Sequence, residues 1–160
     1  MVLDSNQKSV PSSAGDQKIL NQVAAISEQA RQFYQQVAPE ITNSNVRRYV
    51  VALEQLHQLP AQCNTTQLPA QATKQDLTVI WQWYHSQSST LPSYQTPWCT
   101  ELPQILTLQL TSFKRLSREL VRQEHARQLA NLTASLQMLA DELIPLLLSA
   151  DSCNIYRQPG

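Results

Sequence analysis

Apolar residues recur at helical spacing in several stretches of the chain. Ile19, Val23, Ile26, Ala30, Phe33 and Val37 alternate steps of four and three until Pro39, which predicts an amphipathic helix with one buried stripe. Asp16 stands just ahead of this stripe and is expected to be its N-cap. Val46, Tyr49, Val50, Leu53 and Leu56 repeat the pattern and predict a second helix from about Asn45 to Leu59, with Thr42, Asn43 and Ser44 all able to cap it. Thr73 and Asp76 form a Thr-x-x-Asp pair before a third. There Leu77, Val79, Ile80, Trp81, Trp83 and Tyr84 cover nearly the whole circumference. A helix apolar all round lies in the core or turns one side to a partner. Leu77, Ile80, Trp81 and Tyr84 are expected inside and Trp83 on the exposed side.

Pro103 to Ala150 is the longest periodic stretch. Pro103 suits a first helical position, with Thr100 or Glu101 serving the open amides. Leu106, Leu110, Phe113, Leu116 and Leu120 share one face, and Arg115, Arg118, Arg122 and His125 lie opposite. A leucine seam follows at Leu129, Leu132, Leu136, Leu139, Leu143 and Leu146, the pattern of a packed helix. On a straight rod the seam falls on the side of the arginines, so two cores would sit on opposite sides. A break within Arg122 to Gln128, giving two helices, removes that conflict.

Between these stretches the chain is punctuated at Pro39–Asn45, Pro60–Ala72 and Ser86–Leu102, the last holding Tyr94 and Trp98. Residues 1–15 and 151–160 are polar and lack periodicity. The sequence therefore predicts an all-α, compact bundle of four to five helices over residues 16–150, with disordered N- and C-terminal tails.

Composition narrows the chemistry. The chain has 160 residues, enough for one working core. Its formal net charge is zero, so binding to nucleic acid needs a local patch. Cys63, Cys99 and Cys153 are odd in number, far apart and in no Cys-x-x-Cys arrangement, so neither a disulfide framework nor a zinc site is suggested, and the reducing cytoplasm is the expected compartment. No signal-peptide region begins the chain, and the apolar run Leu143 to Leu148 falls far short of the ~20 residues of a membrane span. With glycines only at Gly15 and Gly160, no phosphate-cradling loop exists. Glu54 and His57 are half of a di-iron carboxylate signature without a second half, and read as a surface coincidence. His57, His85 and His125 fall in separate elements. No catalytic residue, cofactor, metal or small-molecule substrate is expected, and the chain reads as a non-enzyme.

The binding candidates are basic. Arg47 and Arg48 stand within a turn of a helix start, where the helix dipole disfavours cations, which points to an anionic partner. Arg115, Arg118 and Arg122 add a second line. The run Ile41, Thr42, Asn43, Ser44, Asn45, Val46, Arg47 and Arg48, with helical apolar spacing through Leu56, resembles the opening of the second helix in the small helical subunit of type III CRISPR effector complexes. The resemblance implies a non-catalytic subunit that stacks along the effector with its neighbours and touches bound RNA through basic side chains. By position, Arg47 and Arg48 carry that role over. The alternative is a helical adaptor that binds another protein through the Leu129 to Leu146 seam or the Trp83 side.

Overall fold

The computed structural model describes the backbone of residues 2–58, 74–90 and 98–149, with side chains for 15–58, 74–87 and 98–149. The described residues form five helices and no strand: α1 (Val2–Val37), α2 (Ser44–Leu56), α3 (Gln75–Thr90), α4 (Trp98–Glu119) and α5 (Gln123–Leu148). α1 packs on α2 and α3, α3 on α4, α4 on α5, and α5 on α2. The five helices thus close into a ring around one core, the all-α bundle expected from the apolar spacing.

Each stripe reaches that core. Val23, Ile26, Ala30, Phe33 and Val37 of α1 are buried, as are Leu106, Leu110, Phe113, Leu116 and Leu120 along and just after α4. α1 ends where Pro39 enters a short 3-10 turn, Ala38–Glu40, because proline cannot continue the hydrogen-bond ladder. α2 is capped by Asn43, whose Oδ1 accepts from the N–H groups of Asn45 at 3.0 Å and Val46 at 3.1 Å. Of the leucine seam, Leu129, Leu136 and Leu143 are buried and Leu132, Leu139 and Leu146 half-buried. The seam faces its own bundle, joined by Thr133, Ala140 and Leu147.

Several expectations are corrected. α1 is helical from Val2, so Asp16 lies inside it and caps nothing there. α4 starts at Trp98, with Pro103 inside it. Trp98 is fully buried against Phe33, ring centroids 5.6 Å apart, and burying so large a side chain is worth more than the single hydrogen bond a proline removes. The break between α4 and α5 falls at residues 120–122, at the start of the polar run. Trp83 packs edge-on against Phe33 at 5.2 Å and Tyr84 at 5.4 Å and donates from Nε1 to Glu101 at 2.9 Å. The exposed apolar residue of α3 is instead Val79. The expected linker over 60–72, Thr73, Tyr94 and the tail 151–160 lie outside the described residues.

A line of polar groups crosses the core through four helices. His57 follows α2 and is fully buried, not a surface residue. Its Nδ1–H donates to the Leu53 carbonyl at 2.7 Å, leaving Nε2 to accept from Gln109 Nε2 of α4 at 3.0 Å. Gln109 Oε1 accepts from the Tyr84 hydroxyl of α3 at 2.8 Å. With that hydrogen committed, Tyr84 accepts in turn from Tyr34 of α1 at 2.8 Å. Every donor along this line points the same way, and every member is neutral. Burial holds both phenols above their ordinary range and pushes His57 down to about 4, partly offset by its bond to Leu53.

Candidate nucleic-acid interface

The expected arginines fall into two sets. Arg47 and Arg48 follow the Asn43 cap on α2, and both are exposed. Arg47 makes a long contact from Nη1 to the Ile41 carbonyl, 3.5 Å. The Arg48 guanidinium lies 5.0 Å from the centre of the Tyr49 ring, and its Nη2 is 3.2 Å from the Tyr49 hydroxyl. Neither is tied to a carboxylate among the described residues, and both stand at a helix N-terminus that is itself partly positive.

The second set stands where α4 turns into α5, and its members differ sharply. Arg115 is committed inside the bundle. Its Nη1 lies 2.6 Å from Asp76 Oδ2 of α3, and its Nε lies 3.4 Å from Glu119. Asp76 also accepts from the Ser112 hydroxyl at 2.5 Å. Burial alone would raise this carboxylate, but the bonds from Arg115 and Ser112 and the Arg115 charge hold it below its ordinary range. Asp76, expected to help cap α3, thus joins α3 to α4. Arg118 and Arg122 are exposed, and no acid pairs with them among the described residues. Two cations therefore project at this corner where four basic groups were expected.

His125, the fourth member of the line, faces inward. Asp16 of α1, almost wholly buried, accepts from the N–H of Val121 at 2.8 Å, the N–H of Arg122 at 2.9 Å and His125 Nδ1 at 2.9 Å. Arg122 occupies the N-cap position of α5 and makes no side-chain cap bond of its own. Asp16 therefore ties α1 to the junction just ahead of α5, accepting from the amides of Val121 and Arg122 and not from those of the first helical turn. Those N–H bonds and His125 lower Asp16 below its ordinary pKa against the opposing effect of burial. The cationic character of the corner rests on Arg118 and Arg122, with Lys18 two residues along α1 from Asp16.

No three His, Cys, Asp or Glu side chains gather as a metal site among the described residues, and no described helix is long and apolar enough to cross a membrane. No family model, curated protein or solved structure matches this chain.

Proposed function

We infer that this chain is a non-catalytic helical subunit of a ribonucleoprotein effector of the type III CRISPR kind, touching the RNA backbone through Arg47, Arg48, Arg118 and Arg122 and neighbouring subunits through other faces. The observation that carries the reading is that these four guanidinium groups are exposed and none is paired with an acid among the described residues. Arg115 drops out of the RNA-facing group because Asp76 and Glu119 hold it. Guanidinium groups suit phosphate oxygens because they present several donors in a fixed fork. The rival adaptor reading draws no support from its two named surfaces, since the seam packs inward and Trp83 is pinned.

A chain of zero net charge needs partner subunits to hold RNA firmly. The test therefore uses the complex recovered from native cells through a tagged copy of this chain. RNA affinity is measured across a salt series for the wild type, Arg47→Ala, and Arg118→Ala with Arg122→Ala. Each phosphate-binding arginine removed should flatten the slope of log affinity against log salt by ~0.7 to 0.9, whatever the RNA sequence. Equal affinities and equal slopes in all three complexes would reject the reading.

A further inference from the structure

The outer face of α5 is a surface that neither the core nor the arginine sets absorb. Along it Arg127, Asn131, Ala134, Met138, Glu142 and Pro145 follow one another in steps of three and four, all exposed. Met138 is 70% exposed, Leu148 at one end 67% and Val121 just before the other end 66%. Met138 stands on this row, while Leu148 lies about a quarter-turn round the helix and Val121 precedes it, so the row carries one large apolar side chain open to water.

Charge is distributed unevenly along this helix. Its first half carries Arg122 and Arg127 against Glu124, and its second half carries Asp141 and Glu142 with no base. Both groups oppose the dipole of the helix they stand on, which favours acids at the start and bases at the end. Asp141 is bonded by Gln137 at 2.8 Å. Arg127 and Glu142 make no ion pair with any described residue. An antiparallel neighbour with the same sequence would place each half against its opposite.

One register meets all these conditions. With a two-fold axis between Ala134 and Ser135, Arg127 of one copy faces Glu142 of the other and Asn131 faces Met138. The two small residues at the centre let the helix axes approach. We propose that α5 is a self-complementary docking face and that its occupant is a second copy of this chain, paired antiparallel. An isologous interface of this kind uses every pair twice and closes on itself, so assembly stops at two. The face is one helix of 26 residues, about 39 Å long. It belongs to the small class of interfaces that associate weakly and depend on salt. The proposal is independent of the RNA reading, which uses other residues.

Sedimentation equilibrium of the full-length protein at low salt provides the test, with circular dichroism confirming that each variant keeps its helix content. The wild type should pass from monomer to dimer as concentration rises to the millimolar range. Arg127→Glu and Glu142→Arg each set like charges together twice per dimer, so each should raise the dissociation constant about tenfold or more. An equimolar mixture of the two variants restores both pairs and should associate as one copy of each. Ala134→Arg, which brings charge and bulk to the axis, should also abolish pairing. A wild type that stays monomeric, variants that dimerise like it, or a mixture that fails to associate would each overturn the proposal.

Discussion

The centre of the bundle and the corner between α4 and α5 solve the same problem by opposite means. In both, polar side chains from distant parts of the sequence tie separate helices together: Tyr34, Tyr84, Gln109 and His57 at the centre, Asp16 and His125 at the corner. At the centre nothing is charged. A neutral donor always meets a neutral acceptor, which avoids the cost of burying an ion. The corner instead uses a carboxylate, and that charge is matched by two backbone N–H groups at the positive end of a helix. The centre is therefore sensitive to gaining a proton on His57 and the corner to gaining one on Asp16. Both can be broken by acid, but in different pH ranges.

The largest expected effect is at the centre. Gln109→Leu removes a donor and an acceptor at once, so His57 Nε2 loses its donor and the Tyr84 hydroxyl loses the acceptor of its hydrogen. Each stranded group costs about 1–3 kcal/mol, so the variant should lose about 2–6 kcal/mol in denaturant unfolding. A loss under about 1 kcal/mol would mean that water or local rearrangement replaces the amide, and that the polar line through the centre is not tightly satisfied.

Acid unfolding sharpens the comparison further. His57 ordinarily titrates near 6.5 and is pushed down to about 4 by burial. Between those values the unfolded chain binds a proton that the folded chain refuses, so stability should fall as pH drops from 6.5 to 4, by about 3 kcal/mol in total. Asp16 is lowered from 3.8. Its contribution is complete above that value and is lost only as pH falls through the lower folded one. Urea midpoints measured from neutral pH downward should show the upper slope in the wild type and lose it in His57→Gln. Asp16→Ala leaves two backbone N–H groups without their acceptor, so it should instead cost about 1–3 kcal/mol at neutral pH and keep the upper slope. A wild type whose stability is flat down to pH 4 would contradict the buried neutral imidazole.

What could be read from the sequence divides along the same line. The apolar stripes at Val23 to Val37 and at Leu106 to Leu120, and the two-helix reading of the C-terminal stretch, depend on spacing within one helix, and all appear in the fold. The polar ties depend on partners far away in sequence. His57 meets Gln109 across 52 positions and Asp16 meets Val121 across 105. An aspartate ahead of an apolar run reads as a local N-cap, and nothing near Asp16 says that it serves another helix. The arginines show the limit most plainly. Arg115 and Arg118 are neighbours in one periodic line, yet Asp76 of α3 reaches the first while the second stays in solvent. A helical wheel assigns a side, but it does not say which neighbouring helix carries an acid within reach.

The smallest expected effect tests whether the central line has a direction. Tyr34 stands at its head, since its hydroxyl donates to Tyr84 while Tyr84 donates onward to Gln109. Tyr34→Phe removes that donor and leaves Tyr84 still bonded to Gln109, so it should cost about 0.5–1.5 kcal/mol, the net value of one hydrogen bond. Tyr84→Phe removes a group from the middle. It strands the Tyr34 hydroxyl and the Gln109 carbonyl together, and should cost clearly more. The double variant should then cost less than the sum of the two, because removing Tyr34 relieves one of the groups that the loss of Tyr84 strands. If the bonds ran the other way, with Tyr84 donating to Tyr34, Gln109 Oε1 would already lack its donor and Tyr84→Phe would strand less. Equal losses for Tyr34→Phe and Tyr84→Phe, with strict additivity in the double variant, would rule out the one-way line.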